Sequence, residues 1–593
     1  MKTLFLVCAT VICLVPAHLA CAEIMANAPY EPPAANMPQL WKNISQGLHA
    51  SWANVDTRYP RHAPPEVACS NLLSACAWRG ERISAQMVLW TADGAEQLRF
   101  DTATLGNDDG AQIPADALTP RFVRYVLADG KLVPDVLDTI ERLDIPPRTT
   151  RPIWLSIDVP RQAKPGIYKG YLQILAKNHP PLKFQFRLEV LPMTLPPPSE
   201  WSFHLDLWQN PYALARYHHV EPWSKEHFQL LEPHLRMLAD AGQKCLTTTI
   251  VYRPWGTQTY DPYDSMVKWT RRHDGGFTYD YTIFDNYVRF GAECGIKKQI
   301  NCYSMVPWTN AFRYYDEQSG AYELLKAEAG SPEYEKLWRP FLKAFTAHLR
   351  KNGWLEKTTI AMDERPLETM QKVIALVKET APELKLTLAV NYQPKVKLDI
   401  YDLSAAIGHP LQPQYRKERT ARSRPTTFYV CCGPARPNTF TDSPPAEAAW
   451  MGFYAAAKGY SGFLRWAYDS WVQDPLYDTS HVTWTAGDCF LVYPGQRSSI
   501  RFERLREGIV HYEKIRILRQ AFQKIDTPQA KAALKEIEKT LTTFTFKSAQ
   551  KTPAASTVNN AKKTLTKLTK TLPSPLSTRP LNSTPDTASR PTK

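Results

Sequence analysis

The stretch TTIAMDERPLETMQKVIALVKET, residues 358–380, joins a short β-rich run to an amphipathic segment. Residues 358–363 have the length of a buried strand, and residues 367–380 place apolar side chains at helical spacing. A strand followed directly by a helix is the repeating unit of a parallel sheet. The fold class therefore depends on whether this unit recurs along the chain.

The unit does recur between residues 203 and 519. Seven further strands are predicted at Phe203–Trp208, Leu246–Tyr252, Lys298–Tyr303, Leu384–Val390, Asp402–Ile407, Thr426–Cys431 and Gly462–Ala467. Other helices are predicted at Ser224–Ala241, Pro332–Asn352, Pro445–Lys458 and Ile500–Arg519. Eight such repeats predict an α/β domain of the (β/α)8, or TIM-barrel, type over residues 196–525.

The region before the barrel has a different pattern. Residues 83–90, 152–159, 170–175 and 184–190 alternate between apolar and polar side chains, and proline or glycine turns separate such runs. Short alternating strands are typical of a β-sandwich. An N-terminal β-sandwich domain is therefore predicted over residues 40–195, with the Pro196–Pro198 run as its boundary.

The first residues have the features of an export signal, predicted over residues 1–22. Lys2 precedes the apolar run Thr3–Val15, and Ala20–Ala22 resembles a cleavage site. Lipid attachment at Cys21 is the alternative, although His18 departs from the usual lipoprotein pattern. Residues 23–39 are predicted to be a linker. We expect an exported protein, periplasmic, cell-surface or secreted, with no transmembrane segment.

The basic charge is concentrated at the other end of the chain. Of the formal net charge of +14, half comes from residues 551–593, which hold eight Lys or Arg residues and one acid, Asp586. We predict a C-terminal helical segment at 526–546 and a disordered basic tail, rich in Ser, Thr and Pro, at 547–593. A charge carried largely by such a tail gives no indication of a nucleic-acid partner.

Polar and aromatic residues follow the ends of the predicted barrel strands, where the active sites of such barrels lie. The chain has 17 Trp and 28 Tyr, and aromatic rings suit the flat faces of sugars. A carbohydrate pocket is predicted. Its candidate binding residues are Trp208, Asn210, Tyr303, Trp308, Asn391, Tyr392, Trp466, Tyr468, Asp469, Trp471 and Asp488.

Asp363 and Glu364 form the most specific motif. Two adjacent carboxylates at a strand end repel each other and lose solvation, which raises the pKa of at least one of them, as a general acid requires. Neighbours in a regular strand point to opposite faces. Both side chains enter one pocket only if the strand ends or bulges there, which Pro366 allows. The alternative is an ordinary ion pair with Arg365.

Motifs of other chemistries are absent. The chain has no Gly-x-Ser-x-Gly, no His-Glu-x-x-His, no P-loop and no Gly-x-Gly-x-x-Gly, and its 14 His show no metal-ligand spacing. No cofactor or metal is expected. The eight Cys after Cys21, which include the vicinal pair Cys431–Cys432, are predicted to be buried free thiols rather than disulfides.

The segments 203–212, 464–471 and 493–501, together with Asp363–Glu364, resemble glycoside hydrolase family 123 over roughly residues 40–520. The resemblance implies a β-sandwich followed by a (β/α)8 domain, and β-N-acetylgalactosaminidase activity on a glycan or glycoconjugate. It also implies substrate-assisted catalysis. Glu364 would be the general acid and base, and Asp363 would orient the 2-acetamido group of the substrate, which acts as the nucleophile.

Weaker hypotheses concern the remaining residues. Tyr303 and Tyr392 would bond the acetamido group, Trp466 and Trp471 would form a wall under the sugar ring, and Asp469 and Asp488 would bind hydroxyls. Two alternatives stay open. One is a retaining glycosidase in which Asp469 or Glu447 is the nucleophile. The other is a non-catalytic glycan-binding protein.

Overall fold

A computed structural model describes residues 30–35, 37–392 and 399–572. Residues 48–194 form two packed β-sheets. The strands of the first sheet, in spatial order, are β1 (Leu48–Ala53), β3 (Arg82–Thr91), β10 (Thr149–Asp158), β7 (Leu118–Ala128) and β8 (Lys131–Leu137). The second contains β2 (Leu72–Arg79), β12 (Leu182–Thr194), β11 (Gly166–Leu175), β4 (Ala95–Thr102) and β9 (Leu143–Ile145), with β5 (Leu105–Asn107) and β6 (Gln112–Ile113) at its side.

Alternating burial along the strands explains the sandwich. In β12, Phe184, Phe186 and Leu188 point inward, whereas the residues between them are exposed. Trp52 of β1 packs edge-on against Phe186, with ring centroids 5.1 Å apart. The two sheets thus share one apolar core, as the sequence pattern predicts.

The eight strands of the barrel form one parallel sheet. They are β13 (His204–Leu207), β14 (Cys245–Thr249), β17 (Gln299–Tyr303), β20 (Thr358–Met362), β21 (Lys385–Val390), β22 (Asp402–Ala406), β23 (Thr426–Tyr429) and β24 (Gly462–Arg465). Each lies within a predicted strand or within one residue of it. The barrel is nearly closed: between β13 and β14, the Lys244 amide donates to the Leu205 carbonyl over 3.0 Å.

Helices surround these strands. They are α1 (Pro211–Tyr217), α2 (Lys225–Ala239), α3 (Thr282–Glu293), α4 (Pro332–Lys351), α5 (Leu367–Thr380), α6 (Pro413–Ala421), α7 (Pro445–Lys458) and α8 (Ile500–Gln523). A separate four-stranded sheet consists of β15 (Lys268–Arg271), β16 (Phe277–Asp280), β18 (Ala311–Asp316) and β19 (Ala321–Lys326). The predicted fold class, a β-sandwich followed by a (β/α)8 barrel, is confirmed.

Buried ion pairs join the two domains. Asp135 of β8 accepts from Arg501 of α8 over 2.8 Å and from Arg58 over 3.2 Å. The side chains of Asp135 and Arg501 are both almost fully buried. A buried carboxylate with two guanidinium partners holds the segments that carry these groups together, because burying either charge without the other would be costly.

The C-terminal region differs from the prediction of a disordered tail. After α9 (Pro528–Leu541), the chain forms α10 (Phe546–Lys551) and α11 (Ala554–Thr571). Helix α11 buries Val558, Ala561, Leu565 and Leu568, which share one face at helical spacing. The predicted tail is thus wrong for residues 547–572, and residues 573–593 lie outside the described part.

The N-terminal prediction is only partly covered. The signal segment 1–22 and Cys21 lie outside the described residues. Within the predicted linker, Glu31 is buried against the sandwich, and its Oε2 accepts from Arg151 Nη2 over 2.7 Å. Residues 30–35 therefore belong to the folded domain rather than to a free linker. No helix in the described ranges is both long and apolar enough to cross a bilayer.

Candidate active site

A pocket opens at the carboxyl ends of the barrel strands. Its free space is about 600 Å³ and is partly open to solvent. The lining residues are Trp208, Trp255, Gln258, Trp308, Asp363, Glu364, Ala389, Tyr429, Cys431, Cys432, Leu464, Trp466, Trp484 and Asp488. Seven of the eight strand ends, or the loops that follow them, contribute to this set, so the pocket lies where the barrel prediction expects the site.

Asp363 is the buried member of the carboxylate pair. Strand β20 ends at Met362, so Asp363 and Glu364 are free of the strand alternation, and both side chains line the pocket. Burial raises the pKa of Asp363 to about 6, although a hydrogen bond from Trp308 and the charge of Arg365 lower it. The Trp308 Nε1–Asp363 Oδ2 distance is 2.7 Å.

Glu364 is half-buried and has different neighbours. Asn391 Nδ2, at the end of β21, donates to its Oε2 over 3.0 Å. The Tyr429 hydroxyl, at the end of β23, donates to its Oε1. Burial raises the pKa of the Tyr429 hydroxyl well above its usual value, and the Glu364 charge adds to this. The two adjacent carboxylates thus occupy distinct environments, the condition under which they take different chemical roles.

Two indole rings, those of Trp208 and Trp255, line the pocket, and the fully buried Tyr303 ring packs against both of them. The ring centroid of Trp208 lies 4.5 Å from that of Tyr303 and 5.1 Å from that of Trp255. The Tyr303 hydroxyl is buried, and no partner for it lies within the described part of the chain. Such a group needs a partner, and a bound ligand can supply one.

A third carboxylate, Asp488, lies on the opposite wall. Its Oδ1 accepts from Arg465 Nη2 over 2.9 Å, and both side chains are fully buried. Its Oδ2 accepts from Trp466 Nε1 over 3.2 Å. Burial raises the pKa of Asp488, whereas Arg465 and Trp466 lower it. Asp488 therefore holds Trp466 in place and is already engaged through both oxygens.

The sequence model of the catalytic domain of glycoside hydrolase 123 matches residues 208–518, more than half of the chain. The chain belongs to glycoside hydrolase family 123. The model of the N-terminal domain of the same family matches residues 52–176, within the β-sandwich.

One solved structure supports the membership of family 123 over nearly the whole molecule. A family 123 glycoside hydrolase from Clostridium perfringens, studied for glycolipid glycan hydrolysis, superimposes with a TM-score of 0.81 at 27% identity, covering 88% of this chain and 99% of that chain. A xyloglucanase of family 5 from Bacteroides ovatus has a TM-score of 0.27 at 9% identity, with 74% and 98% covered. That similarity is too low to carry an argument. The search of curated proteins finds no match.

In this family 123 enzyme, six of the predicted site residues line the pocket: Trp208, Trp308, Asp363, Glu364, Trp466 and Asp488. Two more lie beside it, because Asn391 bonds Glu364 and Tyr303 packs against the lining residue Trp208. Tyr392 is half-buried, and its hydroxyl has no partner among the described residues. Residues 393–398, which follow it, lie outside the described part of the chain.

Four predicted binding residues do not line the pocket: Asn210, Tyr468, Asp469 and Trp471. Asn210 caps helix α1 by accepting from the amides of Tyr212 and Ala213. Tyr468 donates to the His234 carbonyl over 3.1 Å, and Trp471 donates to the Val492 carbonyl over 2.8 Å. Both rings are fully buried in the main core. These side chains therefore stabilise the fold around the barrel rather than line the pocket.

The two carboxylates considered as alternative nucleophiles also lie outside the pocket lining. Asp469 Oδ1 accepts from the Asn210 amide over 2.7 Å, and burial raises the pKa of Asp469 to about 7. Glu447 bonds Arg436 Nε over 2.7 Å and the Asn438 amide over 2.8 Å. Both are fully buried. Glu447 is engaged through both oxygens, whereas Asp469 Oδ2 has no hydrogen-bond partner among the described residues.

Several lining residues escape the sequence prediction, notably Tyr429, Trp255, Gln258 and Trp484. Tyr429 resembles one more apolar residue of strand β23, and only its position at the strand end could have distinguished it. Trp255 and Trp484 lie in long loops. The Trp484 indole donates to the Gln258 carbonyl over 2.9 Å, which brings two distant segments together at the rim.

The described residues contain one group with potential metal ligands, namely His204, Cys245 and Asp402. They lie at the first residues of β13, β14 and β22, at the end of the barrel opposite the pocket. Asp402 Oδ2 is 2.8 Å from both His204 Nε2 and Gln299 Nε2. These contacts describe a hydrogen-bonded core cluster.

Proposed function

We propose that this family 123 hydrolase is an exported, retaining β-N-acetylhexosaminidase, specifically a β-N-acetylgalactosaminidase, that uses the 2-acetamido group of its substrate as the nucleophile. The observation that carries the proposal is the placement of Asp363 and Glu364. They are adjacent in sequence and share one pocket, but one is buried under an indole and the other is half-exposed.

In this proposal Glu364 is the general acid and base. Its half-exposed position suits contact with the glycosidic oxygen and then with water. The Tyr429 hydroxyl and the Asn391 amide fix its carboxyl group from two sides. A fixed carboxyl group loses less entropy on reaching the transition state. Protonation of the leaving oxygen by Glu364 would accompany attack of the acetamido oxygen on the anomeric carbon.

Asp363 would accept a hydrogen bond from the acetamido N–H and stabilise the positive charge of the oxazolinium-like intermediate. Its low-polarity surroundings favour this role, since the interaction of a carboxylate with a developing cation is stronger where water is excluded. The unpartnered Tyr303 hydroxyl is a candidate donor to the acetamido oxygen. Water activated by Glu364 would then open the intermediate, with net retention of configuration.

The engaged state of the third carboxylate supports substrate assistance. A retaining enzyme with a protein nucleophile needs a second carboxylate free to attack the sugar. Asp488, the remaining pocket carboxylate among the described residues, bonds Arg465 and Trp466, and Asp469 and Glu447 lie elsewhere. The acetamido group supplies the missing nucleophile.

The substrate class and the location are part of the same proposal. The Clostridium perfringens relative is described for glycolipid glycan hydrolysis, and we propose the glycan of a glycoconjugate here. Export rests on the segment 1–22, with lipid attachment at Cys21 as the alternative. Mass analysis of the mature N-terminus would distinguish cleavage after Ala22 from a lipid-bearing Cys21.

Side-by-side hydrolysis of aryl β-glycosides of GalNAc, GlcNAc and galactose tests the mechanism. We expect turnover of a 2-acetamido sugar and at least about 100-fold slower turnover of the galactoside, because the galactoside lacks the nucleophile. A stable thiazoline analogue of the intermediate should inhibit competitively. Rapid galactoside hydrolysis would refute substrate assistance, and preference for GlcNAc would correct the sugar.

A further inference from the structure

Two cysteines in the pocket wall have no place in the proposed mechanism. Cys431 and Cys432 follow strand β23 after one residue, Val430, and both line the pocket. Their sulfur atoms are 3.8 Å apart. Cys432 is exposed and Cys431 is half-buried. All eight described cysteines are free thiols, but the prediction that they are buried is wrong for this pair and for Cys69 and Cys76; it holds for Cys245, Cys294, Cys302 and Cys489.

The backbone of the pair is tied to the same groups that shape the pocket. The Cys431 carbonyl accepts from Asn438 Nδ2 over 2.9 Å. Arg465, which holds Asp488, donates to Asn438 Oδ1 over 3.1 Å and to the Val430 carbonyl over 3.2 Å. Tyr429, two residues before Cys431, bonds Glu364. A change in the conformation of the pair is thus transmitted to both walls of the pocket.

The two thiols are chemically unequal. The hydrogen bond between the two thiols lowers the pKa of Cys432 to about 7, against the effect of burial. The same hydrogen bond and burial raise the pKa of Cys431. Cys432 is therefore the attacking thiol near neutral pH, since the thiolate is the nucleophile, and Cys431 is placed to resolve the product.

We propose that Cys431 and Cys432 form a redox-modifiable site in the pocket wall, which closes to a vicinal disulfide by exchange with a small-molecule disulfide. The Cys432 thiolate attacks one sulfur of the disulfide RSSR and releases one RS⁻. Cys431 then attacks the Cys432 sulfur of the mixed disulfide and releases the second RS⁻. The protons of the two cysteine thiols end on the two released thiols, so one RSSR becomes two RSH.

The bond formed in this way is easily reopened. Adjacent Cα atoms are about 3.8 Å apart, closer than the separation of roughly 4.4–6.8 Å found across ordinary disulfides. Strained and accessible disulfides are the readily reduced ones. Closure also draws the two sulfur atoms together and reorients the intervening peptide, so the shape of the pocket wall differs between the two states.

Mass analysis of the folded, full-length enzyme tests the site. The protein is equilibrated at pH 7 in glutathione buffers of graded GSSG content and is then alkylated. The mass of the peptide that contains residues 431 and 432 is measured. We expect this peptide to lose two hydrogen atoms and to carry no glutathione. Cys69, an exposed single thiol, serves as the internal control and should form only the mixed disulfide.

Single variants separate the two roles. C431S should leave Cys432 as a persistent glutathione adduct, and C432S should react at least about tenfold more slowly at pH 7, because the thiol of lower pKa is gone. The proposal is overturned if the wild-type peptide stays a dithiol, or ends as a glutathione adduct, at ratios that modify Cys69.

A kinetic measurement tests the effect on the pocket. With whichever aryl glycoside the enzyme hydrolyses, the oxidised wild type should differ from the reduced form at least about twofold in KM, and thiol treatment should reverse the difference. The C431S/C432S double variant should not respond to either buffer. Identical KM values for the two wild-type forms would refute the link between the thiols and the pocket. The mass readout does not depend on the proposed sugar.

Discussion

The indole nitrogen of Trp308 donates to a carboxylate oxygen of Asp363 over 2.7 Å. On the same indole, the Arg365 guanidinium lies 4.9 Å from the ring centroid. Trp308 is 39% exposed, so one side chain at the rim shields the buried carboxylate and stabilises its charged form. The acidity of Asp363 thus depends on a residue far from it in sequence.

Replacing the donor should shift the pH profile. W308F keeps an aromatic ring over Arg365 but removes the hydrogen bond, so the pKa of Asp363 should rise from about 6 by roughly one unit. The acidic limb of kcat/KM should move to higher pH by the same amount. W484F is the matched control, because that pocket indole donates to the Gln258 carbonyl instead. An unshifted limb in W308F would contradict the role of the bond.

Asp363 itself should affect activity and stability in opposite directions. D363N should lower kcat by about 100-fold or more, because an amide cannot stabilise the oxazolinium charge. The wild type loses stability as pH rises through the raised pKa of about 6, since the folded state must then hold a buried charge. Above that pH, D363N should be more stable by up to roughly 3 kcal/mol, and below pH 4 the two should converge. Urea unfolding at pH 4 and pH 8 measures this difference.

Glu364 provides the most direct test of catalysis. E364Q should reduce kcat by about 100- to 10,000-fold on substrates with poor leaving groups, the range that general acid catalysis contributes. Binding of a non-hydrolysed sugar analogue should stay within about threefold, because the glutamine keeps the size of the side chain. Isothermal titration and steady-state kinetics give the two numbers. Wild-type turnover in E364Q would remove Glu364 from the mechanism.

Asp469 tests the alternative nucleophile. D469N retains an oxygen that can accept from the Asn210 amide, and its side chain lies outside the pocket lining. We therefore expect kcat within about threefold of the wild type. Loss of activity that excess azide restores, with inverted product stereochemistry, would instead identify Asp469 as a protein nucleophile and would favour the alternative mechanism.

The C-terminal helices should contribute to stability. L565A removes a buried side chain of α11 and should cost roughly 2–5 kcal/mol in the free energy of unfolding, or at least lower Tm by a few degrees. K563A, an exposed position of the same helix, should be near neutral. Equal thermal stability of L565A and K563A would contradict a stabilising role for α11.

The sequence predicted the barrel well because the strand pattern follows from a physical requirement for burial. Buried parallel strands require continuous apolar or β-branched runs, and all eight runs became strands. The Asp363–Glu364 pair was found because adjacent carboxylates at a strand end have few structural uses. The direction of the side chains after each strand could not be predicted. Trp466 enters the pocket and Trp471 the core, although both belong to one aromatic segment.

Composition alone is misleading at the C-terminus. Residues 554–571 are rich in Thr and Lys, but their apolar residues Val558, Ala561, Leu565 and Leu568 form a helical stripe. A segment of low hydrophobicity still folds when such a stripe meets an apolar surface of the barrel helices. Contacts between segments far apart in the chain, such as Trp484 with Gln258, become visible only in the folded structure.

The buried pair Asp135–Arg501 has a consequence for the size of the catalytic unit. Arg501 also donates to the carbonyls of Gly487 and Phe490, which flank Asp488 in the pocket wall. A fragment that begins at the barrel would leave this guanidinium without its carboxylate, directly behind the loop that holds Trp466. The smallest fragment able to bind sugar normally should therefore include the sandwich, because the sandwich supports one side of the active site.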